Sequence, residues 1–231
     1  MKQLQRHNYP NIEVLSNSFA DYAQSILTTA LKKRETVSLV VPGGNTPRFY
    51  LSALAQKPLP WNRIAVTLSD ERWVESTSDD SNENLVKTHL LNHLPEKAHF
   101  IGLKTKHNTP DAALTEIDQR LKTIPQPFTL TVLGLGEDGH IASLFPGLEY
   151  HEASLKTTEH HCIAVHPPIA PTLRISLSLE TLANSEQIAL VVTGKTKRRL
   201  LDKLENQADP TIPLVWLLQR VGMLVTVFEM D

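Results

Sequence analysis

The chain has 231 residues, of which 41% are hydrophobic and 21% charged, as in an ordinary globular protein. These proportions exclude a disordered, collagenous or coiled-coil chain. Lys and Arg number 23 and Asp and Glu number 25, which gives a net charge of −2. Nucleic-acid coat proteins and membrane-surface proteins are typically more basic, so an anionic ligand would need a local cluster of cations.

Length and cysteine content predict a single domain, residues 1–231, in a reducing compartment. The length is roughly 1.5 times a typical domain of ~150 residues. The one cysteine, Cys162, has no partner for a disulfide within the chain. Residues 1–14 lack the apolar stretch of a signal peptide, and no apolar run approaches the ~18 residues of a membrane span. We therefore expect a cytoplasmic protein that binds neither membrane nor nucleic acid.

Short apolar, β-branched runs alternate with helical stretches along the chain, after a short strand and one helix that precede residue 37. Such runs are typical of strands buried on both faces of a parallel sheet. Strands are predicted at 37–41, 64–68, 128–133 and 188–192. Helices are predicted at about 18–33, 46–55, 80–91, 110–122 and 195–205. The alternation predicts a three-layer α/β fold, with a mostly parallel sheet flanked by helices.

Residues 173–179 show a different pattern, in which apolar and polar residues alternate. This pattern predicts a half-exposed strand with Arg174 on its polar face. The preceding Pro167, Pro168 and Pro171 indicate a loop. In an open α/β sheet, ligands bind outside the carboxyl ends of the strands, so the loops that follow the strands are the places to look for a site.

The loop at 42–47, PGGNTP, follows the first buried strand. Gly43 and Gly44 allow a sharp turn and a close approach to a ligand. Thr46 is predicted to cap the next helix, with Pro47 at its first position. A glycine loop that leads into a helix N-terminus is suited to binding a phosphate. A plain strand-to-helix turn is the alternative, and a P-loop is excluded because the Gly-Lys-Ser/Thr ending is absent.

The loop at 69–73, SDERW, places three charged residues at the end of the second buried strand. Such charges are costly unless they are solvated or used, and the sequence leaves both readings open. Further on, Asp80 with Glu83 resembles a capping box, which predicts a helix start. Asn82 lies in that first turn and is placed to reach the same site.

The segment at 134–140, GLGEDGH, matches the spacing G-x-G-x-x-G of a dinucleotide site. We reject that reading because Glu137 and Asp138 would repel a pyrophosphate, little room remains for a long helix, and no clear ribose-binding acid follows. The glycines are better suited to presenting Asp138 and His140 at the sheet edge. A carboxylate and an imidazole two residues apart can act as an orienting group and a general base, although a loop histidine without function has the same pattern.

A basic cluster, KTKRR at 195–199, follows the last predicted strand. Cations at a helix N-terminus oppose the helix dipole, and a bound anion would relieve that repulsion. A solvated helix face is the alternative, which we prefer for Arg198 and Arg199.

Two groups of metal-ligating or nucleophilic residues are set aside. His89 and His93 lack the Glu of an H-E-x-x-H zinc site, so no metal is predicted. Cys162 lies near His160, His161 and His166, but a small core cysteine is the simpler interpretation.

Taken together, these loops resemble those of the 6-phosphogluconolactonase family. The matching segments are GGNTP at 43–47, SDERWV at 69–74, SN at 81–82, LGLGEDGHIASLFPG at 133–147, PP at 167–168, RISL at 174–177 and GKTK at 194–197. They follow the family's order over nearly the whole chain, and 133–147 is the most specific. Ile141 departs from the pattern where Thr is common, and 224–231 match only loosely.

The resemblance implies a Rossmann-like sheet shared with glucosamine-6-phosphate deaminases and ribose-5-phosphate isomerases. It also implies hydrolysis of 6-phospho-D-glucono-1,5-lactone in the pentose phosphate pathway, without a metal or organic cofactor. A monomer and a small homo-oligomer both remain open. One alternative is a deaminase-like isomerase, which would carry Glu five residues after His140, where this chain has Phe145. The other is a sugar-phosphate sensor without chemistry, which would usually carry a separate DNA-binding helix-turn-helix.

The resemblance and the loop chemistry together assign expected roles. His140 is the expected general base for water, with Asp138 to orient it. Arg72 and backbone amides are the expected oxyanion donors, and Asp70 is assigned to substrate hydroxyls or positioning. Residues expected to bind the substrate are Gly43, Gly44, Asn45, Thr46, Asn82, Arg174 and Lys197, of which the 44–46 amides, Arg174 and Lys197 would hold the phosphate.

Overall fold

The computed structural model describes residues 3–148, 161–167 and 172–231. Its strands are β1 Leu4–Asn8, β2 Val37–Val41, β3 Ile64–Leu68, β4 Asp70–Arg72, β5 His99–Ile101, β6 Leu130–Gly134, β7 Cys162–Val165, β8 Arg174–Leu177, β9 Ile188–Thr193 and β10 Val225–Met230. Its α-helices are α1 Ile12–Leu31, α2 Pro47–Ala55, α3 Asn82–His89, α4 Pro110–Leu121, α5 Leu179–Ala183, α6 Lys195–Asn206 and α7 Pro213–Arg220. Among these residues, no helix is long and apolar enough to cross a membrane.

Seven strands form a parallel sheet in the order β1-β10-β9-β6-β2-β3-β5. Every residue of β2 and β3 is buried, as expected for strands that helices cover on both faces. The buried hydroxyls within them are satisfied, since Ser38 Oγ donates to Pro125 O at 2.7 Å and Thr67 Oγ1 donates to Ile101 O at 2.8 Å. The predicted α/β fold is confirmed.

The order of the strands creates a crevice between β2 and β6. From β2 the chain proceeds outward to β3 and β5, then crosses back to β6 on the other side of β2 and continues to β9 and β10. Connections from the two neighbouring strands therefore diverge. Such a switch point is where open α/β sheets bind ligands.

A smaller antiparallel sheet, in the order β4-β8-β7, follows directly from the end of β3. It contains the predicted strand at 173–179, but the expectation of a half-exposed strand is wrong. Ser176 and Ser178 are fully buried, because β8 is the central strand of this sheet and Ser178 caps α5 by accepting the Thr181 N–H.

Local capping corrects several predicted helix bounds. Helix α1 begins at Ile12 because Asn11 Oδ1 accepts the Val14 N–H at 2.9 Å. Helix α3 begins at Asn82 because Ser81, and not Asp80, accepts the Asn84 N–H. Strands β4, β5 and β10 were not predicted, and residues 70–72 form β4 where a loop was expected. The predicted positions Pro168, Pro171 and His160 lie outside the described residues.

Candidate functional site

A cavity of about 360 Å³ opens at the carboxyl ends of β2, β3, β6 and β9. Ten residues singled out from the sequence line it, namely Gly43, Gly44, Asn45, Thr46, Asp70, Arg72, Asn82, His140, Arg174 and Lys197. Parallel strands end at the same edge of the sheet, so loops distant in sequence meet there. Asp138, the remaining predicted residue, is exposed and does not line the cavity, but it bonds to His140.

The glycine loop delivers the N-terminus of α2 to this cavity. Gly44 has φ +98°, a left-handed conformation that favours glycine. Thr46 is the N-cap residue and Pro47 the first helical residue, as predicted, but Thr46 has helical dihedrals, φ −71° and ψ −37°, and its side chain forms no capping hydrogen bond. Its hydroxyl instead forms a hydrogen bond with Thr193 Oγ1 at 2.9 Å. This bond ties the start of α2 to the end of β9 and leaves the first helical turn facing the cavity.

Gly43 is packed against a buried amide side chain. A Cβ at this position would lie 1.7 Å from Asn82 Oδ1 and 2.1 Å from Asn82 Cγ. Asn82 cannot easily retreat, because its Nδ2 donates to Asp70 O at 2.8 Å. The glycine loop, the start of α3 and the Asp70 backbone therefore form one packed unit, and Asn82 has a structural contact that the sequence did not reveal.

Asp70 is a buried carboxylate held by two serine hydroxyls. Ser69 Oγ donates to Asp70 Oδ1 at 2.9 Å, and Ser143 Oγ donates to Asp70 Oδ2 at 2.6 Å. Both serines are fully buried and Asp70 is 5% exposed. The carboxylate oxygens thus have fixed directions at the cavity wall.

Glu71 explains part of the charge cluster at the end of β3. Its carboxylate is fully buried outside the cavity lining. It accepts four hydrogen bonds of 2.7–3.0 Å, from three backbone N–H groups and one hydroxyl, at Arg72, Asn82, Glu83 and Ser81. Burial raises the pKa of Glu71 above its ordinary value, and these four donors oppose the rise. Glu71 therefore anchors the N-terminus of α3, where a carboxylate is favoured.

Arg72 and Arg174 are cross-strand partners in the small sheet. Arg72 Nη1 donates to Asp80 O at 2.5 Å, which holds this guanidinium at the cavity wall. The pKa of Arg174 lies below its ordinary value. Burial is the main cause, Asp70 opposes the decrease, and Arg72 adds to it. Arg174 Nε is buried and finds no hydrogen-bond partner within residues 3–148, 161–167 and 172–231. Two adjacent guanidinium groups, one with an unsatisfied N–H, are well suited to an anion.

The Asp138–His140 pair has the geometry of an oriented base. His140 Nδ1 lies 2.6 Å from Asp138 Oδ1, which also accepts the His140 backbone N–H at 3.1 Å. A Cβ at Gly136 would lie 2.1 Å from His140 Nδ1, so glycine is required for the ring to take this position. Because a carboxylate only accepts, Nδ1 carries the proton, so in the neutral imidazole Nε2 holds the lone pair. The His140 ring also packs on Phe145, with centroids 4.7 Å apart.

The basic cluster is divided between the cavity and the protein surface. Helix α6 begins after Gly194, which has φ +98° and no side chain that could cap the helix. Lys197 lines the cavity from its first turn. Arg199 is exposed, whereas Arg198 pairs with Asp231 at the end of the chain. The preference for a solvated face thus holds for Arg199 but not for Arg198.

The residues set aside at first serve structural contacts. His93 Nε2 lies 2.9 Å from Thr88 O, and burial raises the pKa of Cys162 to about 12, with a smaller contribution from Asp118. Asp118 bonds to the backbone and ring of His161. Within the described ranges, His, Cys, Asp and Glu side chains form no group of three that could hold a metal ion.

Several lining residues were missed by the sequence reasoning, among them Tyr50, Glu137, Ala142 and Val191. Glu137 and Ala142 lie inside the segment 133–147, so their proximity to His140 was a signal for them. Tyr50 and Val191 lie inside a helix and a strand, where the apolar pattern indicates only core. Burial raises the pKa of Tyr50 well above its ordinary value.

A doubly wound sheet whose cavity combines helix N-termini, nearby cations and a paired histidine is typical of α/β enzymes that act on small anionic substrates. A family model described as glucosamine-6-phosphate isomerases/6-phosphogluconolactonase matches residues 10–226. The chain belongs to this family.

Curated relatives include a 6-phosphogluconolactonase from Pseudomonas putida, 36% identical over 83% of this chain and 79% of the relative. Another, from Neisseria meningitidis, is 32% identical over 96% of this chain and 97% of the relative. Among solved structures, a 6-phosphogluconolactonase from Shewanella baltica has a TM-score of 0.94 at 35% identity, covering 100% of this chain and 99% of that one.

Proposed function

We propose that this protein hydrolyses 6-phospho-D-glucono-1,5-lactone to 6-phospho-D-gluconate, a step of the oxidative pentose phosphate pathway. The observation that carries the proposal is the Asp138–His140 pair at the wall of a cavity that also contains Arg72, Arg174 and Lys197. Lactone hydrolysis needs a base for water, donors for an oxyanion and, for this substrate, cations for a phosphate. Relatives that bear this enzyme's name match most of the chain.

His140 acts as the general base. With Nδ1 bonded to Asp138, Nε2 removes a proton from the attacking water as its oxygen bonds to the lactone carbonyl carbon. The tetrahedral intermediate then breaks its bond to the ring oxygen, which leaves with the proton returned by Nε2. The product acid ionises in water. Asp138 stabilises the imidazolium between the two proton transfers.

The remaining groups bind the two ends of the substrate. Arg72 is fixed by its bond to Asp80 O and retains further N–H groups for the carbonyl oxygen, where negative charge develops. Arg174, Lys197 and the amides at the start of α2 hold the phosphate, because the guanidinium, the ammonium and the helix dipole all favour a dianion. Asp70 presents its fixed carboxylate to the sugar hydroxyls.

The alternative of a deaminase-like isomerase is disfavoured by one contact. The position at which such an enzyme would carry its ring-opening Glu holds Phe145, whose ring packs on His140 and lies 5.5 Å from the Arg174 guanidinium carbon. A phenyl ring can neither donate nor accept a proton there. Lactone hydrolysis needs no acid or base at this position.

Disappearance of freshly generated lactone tests the proposal, with an enzyme-free blank because the lactone also opens spontaneously. We expect strong acceleration by the wild type and a kcat about 10²–10⁴-fold lower for His140→Ala, the usual contribution of a general base. His89→Ala, at a helical histidine that does not line the cavity, is the matched control. No acceleration by the wild type, together with ammonia release from glucosamine 6-phosphate, would overturn the assignment.

A further inference from the structure

Ser143 connects two groups of the proposed mechanism, one on strand β4 and one on the loop after β6. It follows His140 by three residues, and its Oγ donates to Asp70 Oδ2 at 2.6 Å. The serine is fully buried, so water does not compete for this bond. A hydroxyl-to-carboxylate bond of this length is of the short, charge-assisted kind.

Both partners of this hydrogen bond are held by further hydrogen bonds. Ser143 N donates to Ser176 Oγ at 3.3 Å, and Ser176 Oγ donates in turn to Leu177 O at 3.0 Å. On the other side, Ser69 Oγ already donates to Asp70 Oδ1. Since a carboxylate accepts only, both serine protons must point at Asp70. Ser176 on β8 and Asp70 on β4 are cross-strand partners in the small sheet, so both bonds of Ser143 join the loop that carries His140 to that sheet.

The backbone between His140 and Ser143 needs such an anchor. Ala142 has φ +49°, a left-handed conformation that is uncommon for a residue with a Cβ. Ala142 lines the cavity next to His140. A loop held in an unfavourable conformation beside reacting groups persists only when surrounding contacts impose it, and Ser143, the next residue, makes two such contacts.

We infer that Ser143 is a positioning residue that locks the Asp70 carboxylate to the loop that carries His140, so that base and sugar-binding group keep one relative placement. This inference rests on the proposed function. Ser143 does not line the cavity. It acts through Asp70, so its loss should lower kcat because Asp70 and His140 no longer keep one relative position.

The test compares Ser143→Ala with Ser38→Ala in the lactone assay. Ser38 is equally buried and makes two hydrogen bonds, to Pro125 O and from Thr129 N, but lies outside the cavity lining. We expect kcat to fall about 10–100-fold for Ser143→Ala, the range for a hydrogen bond to a charged group. The inhibition constant of inorganic phosphate should change less than about threefold, because the phosphate end is intact. Ser38→Ala should lose stability only.

A double-mutant cycle separates positioning from general loosening. In an Asp70→Asn background, Ser143→Ala should cost less than about threefold in kcat, since its partner has already changed. Ser143→Cys keeps a similar size and a weak donor; it replaces Ser143→Ala in the test if that variant fails to fold, and it should recover part of the rate. The inference would be overturned if Ser143→Ala lowered kcat as strongly in the Asp70→Asn background as in the wild type. A wild-type kcat for Ser143→Ala alone would also overturn it.

Failure of the proposed function is distinguishable from failure of the inference. If the wild type leaves the lactone rate at the blank value, the proposed function fails. The same variants are then compared by calorimetric binding of 6-phosphogluconate, with inorganic phosphate as the reference. Affinity about tenfold weaker for Ser143→Ala, but not for Ser38→Ala, would support the role of Ser143, whereas equal affinities would refute it.

Discussion

Replacing Gly43 by alanine tests the packed unit that joins the glycine loop to α3. The new Cβ would lie 1.7, 2.1 and 2.5 Å from Oδ1, Cγ and Nδ2 of Asn82, so the whole amide group must move. Its movement breaks the buried bond from Nδ2 to Asp70 O and leaves that carbonyl unpaired. The loss of a buried hydrogen bond and the displacement together predict a decrease of about 2–4 kcal/mol in the free energy of unfolding.

The same displacement should weaken substrate binding. The loop amides and α2 move with Gly43, and the loss of one hydrogen bond to a charged phosphate costs about 1.5–3 kcal/mol. We therefore expect KM for the lactone to rise about 10–100-fold in Gly43→Ala, measured in the blank-corrected lactone assay beside urea unfolding. Gly222→Ala is the control, since within the described chain a Cβ there meets no atom within 4 Å.

A second variant at Asn82 tests whether the collision with this side chain is the cause. In an Asn82→Ala background, the side chain that collides with the new Cβ is absent, so Gly43→Ala should cost less than about 0.5 kcal/mol further. If Gly43→Ala keeps wild-type stability and KM, or destabilises the Asn82→Ala protein just as strongly, the collision is not the cause and the reasoning is refuted.

Three further predictions concern buried or paired carboxylates. Asp138→Asn should lower kcat about 10–100-fold with little change in KM, because the imidazolium loses its partner in the transition state; an unchanged kcat in the lactone assay would remove Asp138 from the mechanism. Glu71→Gln should lower the free energy of unfolding by about 2–4 kcal/mol in urea, because an amide N–H₂ then faces buried donors; a loss below about 0.5 kcal/mol would contradict this anchor. Burial raises the pKa of Asp118, but bonds from Lys122 and His161 outweigh it and bring the pKa to about 2. Its ionised form thus stabilises the fold above about pH 4, and the contribution disappears as pH falls toward 2. The stability difference between wild type and Asp118→Asn should therefore shrink below pH 4 in urea titrations, and a difference that stays constant to pH 3 would argue against this coupling.

Much of the fold and of the candidate site could be predicted from local sequence. The strands at 37–41 and 64–68 have the bounds predicted from their continuous apolar runs, because a strand buried on both faces needs apolar residues at every position. The loops after the strands could be chosen for the same reason, since parallel strands end at a common edge. Ten of the predicted site residues accordingly line one cavity.

Contacts between distant segments could not be predicted in this way. Ser81 rather than Asp80 caps α3, and Thr46 bonds to Thr193 rather than to its own helix. At α3 both side chains were chemically able to form the cap and packing selected one, whereas at α2 no side chain caps the helix because the Thr46 hydroxyl has a partner on β9. Strand β10 likewise lies between β1 and β9, a pairing of the two ends of the chain that no local pattern indicates.

The sequence by itself determined the periodicity of the core, the glycine turns and the residue types present at the ends of the strands. Tertiary structure alone decided which of those residues meet, because hydrogen-bond partners are set by distances between segments far apart in the chain. Glu71 shows the difference most clearly. In the sequence it is one of three charges in a row, and in the fold it is fully buried and holds the start of α3, because only there do four donors converge to replace its lost hydration.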